Sequence, residues 1–349
     1  MTTLTTPTTL AAAPPNRPAL VALWRWIKIT AVTALALVGL LVLTLAAMIA
    51  APLTAPPQLE SISTTARAVD RSDMPELQRF QARDGTVLGY RHYPPTAATS
   101  DRIAILIHGS SGSSSSVHAL AKALAAHGVE TYAPDIRGHG TSGSRGDTGY
   151  IGQLEDDLAD FVAEIRKTHP DAPLVLIGHS AGGGFALRVA ASAIQPLFAR
   201  TVLLAPYLGY DATTNRPSSG GWANADIPRI IALHLLRKAG VSCCQELPAV
   251  AFAVPPHSEK VQTAVYSYRL VSNFGVKGNY REDLAAAKGP ITIISGAADE
   301  LMLAPNYRAA VADFPNVDVK LLDGVNHMGV VSDVAASAAI ADDVATRAR

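Results

Sequence analysis

Apolar residues divide the chain into one long N-terminal run and a region of short apolar stretches separated by amphipathic ones. From Ile29 to Leu53 no charged residue interrupts a sequence dominated by Leu, Val, Ala and Ile. At ~1.5 Å per helical residue, this run is long enough to cross a ~30 Å hydrocarbon core. Residues 29–53 are therefore predicted to form one transmembrane helix. A core helix would show a polar face, and a cleaved signal peptide would have a shorter apolar region of ~7–15 residues. Further along, Ile103–Ile107, Val129–Pro134, Leu174–Ile177, Thr201–Ala205 and Ile291–Ser295 are short apolar runs suited to buried strands, and Val317–Leu322 supplies the last strand. Leu77–Ala82 and Val87–Tyr93 flank Asp84-Gly85, a turn signal, and are predicted to pair as an antiparallel hairpin. Ile151, Leu154, Leu158, Phe161, Val162 and Ile165 recur at spacings of three and four, which predicts a helix over 151–168. Its carboxylates, Glu155, Asp156, Asp157 and Asp160, would face solvent. Val117–His127, the segment after Ser180 and the Ala-rich C-terminal segment also read as helices.

Residues 1–28 open Thr-, Ala- and Pro-rich, with no apolar period, and are predicted to be a disordered leader. Arg17, Arg25 and Lys28 precede the apolar run, with Trp24 and Trp26 at interface depth. Positive charge on that side orients the leader to the cytoplasm and everything after Pro52 to the outer, periplasmic or extracellular, side. Residues 54–75 are Pro-, Ser- and Thr-rich and read as a linker, with the folded α/β domain over 76–349. The strand–helix rhythm stops between Pro206 and about Ala287. Tyr207, Tyr210, Trp222, Tyr266, Tyr268, Phe274 and Tyr280 fall here, most of the aromatic residues left in an aromatic-poor chain. An insertion over 207–287, following a sheet strand, reads as a cap over a pocket.

Charge then narrows the function. Lys+Arg and Asp+Glu each number 29, a balance that argues against a nucleic-acid surface. Cys243 and Cys244 are adjacent and provide neither a disulfide framework nor spaced metal ligands. They are two free thiols or one strained vicinal disulfide. His234 and His257 lie in the insertion without a ligand cluster around them. Neither the glycine cluster after His108 nor the one around Ser180 gives G-x-G-x-x-G, and no G-K-[ST] follows either, which sets nucleotide binding aside.

The chemistry gathers around Gly178-His-Ser180-Ala-Gly182. The strand Leu174–Ile177 leads into it and a helix leaves it, so Ser180 sits on a sharp strand-to-helix turn. Flanking glycines are required there because a Cβ would collide with a neighbouring strand or helix. Two other strand exits carry matching groups. Ile291–Ser295 empties into Gly296-Ala-Ala-Asp299-Glu300, and Val317–Leu322 into a loop holding His327. Asp299 suits a triad acid, or equally a helix N-cap, with Glu300 as the adjacent competitor. The chain order Ser180, Asp299, His327 is that of an α/β-hydrolase triad. Backbone N–H groups of Ala181 and of Ser110, in the Ser/Gly loop after His108-Gly109, are the candidate oxyanion donors. Asp135-Ile-Arg137-Gly-His-Gly-Thr-Ser142 reads as a structural loop locked by an Asp135–Arg137 pair. A triad of this kind uses no metal or organic cofactor.

From about residue 77 to the end, the chain resembles the α/β-hydrolases, specifically the monoacylglycerol lipase/lysophospholipase-like group with its serine aminopeptidase-type relatives. His108-Gly109, Asp135-x-Arg137-Gly138-His139-Gly140-x-Ser142, Gly178-His179-Ser180-Ala181-Gly182, Gly296-x-x-Asp299 and His327 carry the resemblance. It implies an eight-stranded, mostly parallel sheet flanked by helices, a helical cap after the sixth strand, and carboxylic-ester hydrolysis. The expected substrate is an acyl ester, plausible as a lipid because the predicted helix ties the enzyme to a membrane. Ser/Gly residues after His108-Gly109 replace the glutamate that many monoacylglycerol lipases carry there. An aminopeptidase or amidase of the same fold would need a carboxylate for the substrate amine, and Asp211, Asp226, Glu246 and Glu259 do not single one out. A non-catalytic binding protein of this fold would be free to lose a triad member.

Overall fold

The computed structural model describes residues 17–96, 101–256, 258 and 262–346. The chain divides after Ala51 into an N-terminal helix and a body that begins at Pro52. Helix α1 spans Arg17–Ala50 and is long and apolar enough to cross a membrane. It starts earlier than the apolar run because nothing between Arg17 and Lys28 breaks a helix, and Pro18 is tolerated in a first turn. It ends at Ala50 because Pro52 disfavours helical geometry at Ala51. Residues 17–28 of the expected leader are thus helical, and residues 1–16 lie outside the described residues.

The segment expected to be a free linker is an ordered strap. Helix α2 (Glu60–Arg67) buries Ile62 and Ser63. Asn224 Nδ2 donates to the Thr54 carbonyl (2.8 Å) and hydroxyl (3.0 Å), and Asn326 Nδ2 donates to Thr65 Oγ1 (3.0 Å). Arg71 Nε reaches the Ser115 carbonyl (3.2 Å), and Asp73 pairs with His118 and Lys122. These bonds run from polar residues to distant parts of the fold, so no local apolar period announces them.

The hairpin pairs β1 (Leu77–Gln81) with β2 (Val87–Tyr93), and Gly85 at φ +84° makes the turn. Then follow β3 (Ile103–Ile107), helix α3 (His118–Ala126), β4 (Glu130–Pro134), α4 (Gln153–Arg166), β5 (Leu174–His179), α5 (Ala181–Ala190) and β6 (Arg200–Leu204). The insertion contributes β7 (Ala223–Ala225), α6 (Ile227–Lys238), β8 (Pro248–Phe252) and β9 (Val265–Ser267), before β10 (Ile291–Gly296), β11 (Val317–Leu322) and a terminal helix, Val334–Thr346. The main sheet has eight strands in the order β1-β2-β4-β3-β5-β6-β10-β11, parallel from β4 to β11. All positions of β3, β5 and β6 are buried. Alternate side chains feed two cores: Ile105, Leu176 and Leu203 pack with Phe161 of α4, while Leu106, Ile177 and Leu204 pack with Leu120 of α3 and Ile340 of the terminal helix. The insertion after β6 contains helices, as expected of a cap, together with a three-stranded antiparallel sheet, β7-β8-β9. Two of these strands have three residues each, too few to show an alternation in sequence.

The α4 carboxylates are paired rather than left to solvent. Arg83 bridges Asp156 (2.8 Å) and Asp160 (2.9 Å), and Arg188 holds Glu155. The buried Arg137 grips Asp157 through two bonds of 2.7 Å, and not Asp135 as expected. Asp135 instead accepts the N–H groups of Ser114 (2.8 Å) and Thr141 (3.0 Å). The guanidinium fork fits a carboxylate bidentately, while the Asp135 carboxylate is already occupied by two loop amides. Cys243 and Cys244 are both free thiols, in line with the unfavourable geometry of a bridge between neighbours.

Candidate active site

Ser180 joins β5 to α5 with φ 55° and ψ −118°, a conformation that non-glycine residues adopt only when their surroundings fix it. The surroundings here are explicit. Ser180 N–H donates to the Leu204 carbonyl (2.8 Å), and the Ser180 carbonyl accepts from Gly184 N–H (3.1 Å) and Tyr207 N–H (3.0 Å). A Cβ on Gly178 would overlap the Gly182 carbonyl, and one on Gly182 would overlap the His108 carbonyl at the end of β3. The glycines therefore let strand, turn and helix pack at backbone distance. Gly184 serves the same purpose against the Tyr207 carbonyl, and a Cβ on Gly183 would lie 2.9 Å from Pro206 Cβ, which together account for the run of three glycines.

His327 lies in the loop after β11 and is buried. Its Nδ1 is 2.8 Å from Asp299 Oδ2, and its ring centre is 4.8 Å from that of His179, the residue before Ser180. The His327 carbonyl accepts from His179 Nε2 at 3.2 Å. Burial, and then the neighbouring His327, push the His179 imidazole down to about 3, so it stays a neutral spacer. The other carboxylate oxygen of Asp299, Oδ1, accepts the backbone N–H groups of Leu301 and Met302, both at 2.8 Å. Burial penalises the Asp299 charge, but His327 and these amides outweigh it and hold the carboxyl below its ordinary value. The two readings of Asp299 thus merge: it caps the turn with one oxygen and faces the imidazole with the other. Glu300, the competitor, bonds to the His327 backbone rather than its ring: its Oε2 accepts the His327 N–H at 2.9 Å.

Sequence reasoning brought Ser180, Asp299 and His327 to neighbouring strand ends, and the structure gathers them at one rim. Among the described residues, the Ser180 hydroxyl forms no hydrogen bond in this resting arrangement; such bonds often tighten only when substrate is bound. The two expected oxyanion donors flank the serine. Ala181 is the first residue of α5, where the N–H has no partner within the helix. The loop carrying Ser110 passes so close that a Cβ on Gly109 would lie 3.1 Å from Ser180 Cβ.

Three contacts to this rim were not foreseen. Arg216, from the insertion, donates to the Asp299 carbonyl (3.2 and 3.0 Å), and Trp222 Nε1 donates to Ser110 Oγ (2.8 Å). Tyr266 OH accepts from Ser111 N–H at 2.7 Å. The aromatic density of the insertion flagged Trp222 and Tyr266 as a group; nothing in the sequence flagged Arg216. Of the two insertion histidines, His234 lies on α6, and His257 lies outside the described residues.

Comparison with known proteins shows the family and the fold. The human monoglyceride lipase is 31% identical over 152 residues, which cover 43% of this chain and 48% of that protein. The chain thus spans about half the length of the curated relatives it matches. The crystal structure of a Saccharomyces cerevisiae monoglyceride lipase superposes with a TM-score of 0.56 at 19% identity, covering 78% of this chain and 94% of that one. A bacterial membrane phospholipase A superposes at 0.52 with 15% identity, covering 93% and 99%. These structural matches show the fold. The family model described as serine aminopeptidase, S33 matches residues 98–331, more than half of the chain, and the protein belongs to that family of α/β-hydrolases.

Proposed function

We propose that this protein is a membrane-anchored serine hydrolase that cleaves carboxylic esters of lipid type. The observation that carries the reading is an elbow serine, Ser180, directly after His179, whose ring packs 4.8 Å from that of His327, an imidazole whose Nδ1 is held by a buried carboxylate. In the proposed reaction, His327 Nε2 takes the Ser180 proton as Oγ attacks the ester carbonyl carbon. The resulting oxyanion is held by the N–H groups of Ala181 and Ser110. Collapse of this intermediate expels the alcohol, which leaves with the proton from His327 and leaves an acyl group on Ser180. Water, deprotonated by His327, then attacks the acyl-enzyme, and His327 returns that proton to Ser180 Oγ as the acid is released. Asp299 keeps Nδ1 protonated throughout and stabilises the imidazolium.

The lipid character rests on two supports. Relatives named as monoglyceride lipases are similar in sequence, and α1 is long and apolar enough to hold the enzyme at a bilayer. Arg17, Arg25 and Lys28 at its start support a cytoplasmic N-terminus with the hydrolase on the outer side, by the bias of positive charge toward the cytoplasm. A reporter active only outside the cytoplasm, fused to the C-terminus, is expected to be active; a silent fusion would reverse the topology. The substrate class is tested by offering the purified protein p-nitrophenyl esters of graded chain length, monoacylglycerols, lysophospholipids and aminoacyl amides. Turnover is expected on the esters. Preferential cleavage of the amides would move the assignment to the aminopeptidase reading, in which a carboxylate must hold the substrate amine.

A further inference from the structure

The insertion does more than roof the site: the loop that carries Ser110 hangs from it. Both backbone polar groups of Ser111 are bonded to the insertion, its N–H to Tyr266 OH (2.7 Å) and its carbonyl from Thr263 N–H (3.1 Å). Trp222 Nε1 holds the Ser110 hydroxyl at 2.8 Å. Ser111 needs such support because its φ of 62° lies in the left-handed region, which a serine keeps only when its surroundings over-determine it. Fixing the Ser111 N–H fixes the peptide plane between Ser110 and Ser111. The Ser110 N–H lies in the preceding peptide plane, which the Gly109 carbonyl anchors by accepting from His108 Nδ1 (2.8 Å) and Gly112 N–H (3.2 Å); the insertion holds the Ser110 Cα from the other side, through its side chain and the Ser111 peptide.

The proton directions behind Tyr266 follow from the neighbouring groups. His139 is buried, and its Nδ1 faces two carbonyl oxygens, those of Ile136 (3.2 Å) and Arg137 (3.3 Å). Carbonyl oxygens only accept, so Nδ1 carries the hydrogen. Burial, and then the nearby His108, keep this imidazole neutral, its pKa well below the ordinary value. His139 Nε2 is therefore bare and accepts the hydrogen bond from the Tyr266 hydroxyl, with which it is in contact. The Tyr266 oxygen is left to accept from Ser111. The relay runs one way, from Ser111 N–H to Tyr266 to His139 to the Ile136 and Arg137 carbonyls. The Tyr266 ring is locked in place, edge-on to Phe252 (4.6 Å) and to His139 (5.0 Å).

We propose that Tyr266 is a positioning residue for oxyanion stabilisation: from the insertion, it sets the Ser111 peptide and through it the place of Ser110, whose N–H is the donor. The proposal rests on the triad reading above. It makes a seated insertion a condition for fast turnover, because the donor is aimed by a bond that crosses from the insertion to the sheet.

The test is steady-state kinetics of Tyr266→Phe on a p-nitrophenyl ester, beside wild type and Ser180→Ala. The ring stays and the hydroxyl goes. Removing a whole oxyanion donor costs about 10²–10³-fold in kcat, so misaiming one is expected to lower kcat roughly 10-fold or more, with KM within about twofold. The variant also leaves His139 Nε2 unpaired, so its thermal midpoint is measured beside its kinetics, which are run well below that midpoint. In the folded variant kcat is expected to stay low, since Ser111 N–H is unheld. Wild-type kcat in Tyr266→Phe, or a loss of kcat that vanishes on lowering the temperature, would overturn the proposal while leaving the triad intact. Wild-type turnover by Ser180→Ala would instead overturn the triad reading. If Tyr266→Phe does not fold, Trp222→Phe removes the other side-chain bond to the loop; the same kcat-specific loss supports the proposal, and an unchanged kcat overturns it.

Discussion

Ser180→Ala is expected to lower ester turnover by about 10⁴–10⁶-fold and to abolish labelling by a fluorophosphonate probe, with little change in the thermal midpoint. The catalytic loss follows because no acyl-enzyme can form without the hydroxyl. The small structural effect follows from the local bonding. The backbone N–H and carbonyl of Ser180 hold the turn through Leu204, Gly184 and Tyr207, and alanine retains all three bonds. The left-handed backbone is as strained for alanine as for serine, since each carries one Cβ. The hydroxyl itself has no hydrogen bond among the described residues, so its removal orphans nothing. Persistent labelling of the variant would place the nucleophile elsewhere.

Asp299→Asn is expected to cost about 10⁴-fold in kcat, and the structure specifies the route. Asp299 Oδ1 accepts two backbone N–H groups, from Leu301 and Met302. An asparagine must keep its carbonyl oxygen at that position, because turning it away would face its NH₂ to two donors. The NH₂ then faces His327 Nδ1 and forces this nitrogen to accept. The ring proton moves to Nε2, the atom that has to take the proton from Ser180, and the base is blocked in the wrong tautomer. Glu300→Gln behaves differently, because Oε2 accepts only the His327 backbone N–H and an amide oxygen can replace it. Its kcat is expected to stay within about tenfold of wild type, that bond being of ordinary strength. Kinetics of the two variants side by side decide the matter; the opposite ranking would make Glu300 the acid.

The parts of this molecule legible in sequence are those fixed by short-range rules. The apolar run Ile103–Ile107 and the hairpin around Asp84-Gly85 form as expected because burial on both faces and a two-residue turn leave few alternatives. The Ser180 elbow was legible because backbone contact at Gly178 and Gly182 tolerates no side chain. Asp299 and His327 were legible through their place after strands. What stayed hidden depends on partners far away in the chain. Arg137 finds Asp157 rather than Asp135 only once α4 has packed against the hairpin. Glu300 gains its role through the His327 loop, and Arg216 and Tyr266 gain theirs through the folded insertion. Residues 54–75 looked like a tether because Pro, Ser and Thr dominate them, yet their bonds reach the insertion, the His327 loop and α3.

On the proposed reading of α1 as a membrane anchor, that strap determines where the enzyme could be released. A protease cutting near Glu76, where composition alone puts the edge of the domain, would strip away Ile62 from the core and Asp73 from His118 and Lys122, and would free Asn224 and Asn326 from their partners. Shedding of an intact hydrolase requires a cut ahead of Thr54, within the few residues that follow Ala50.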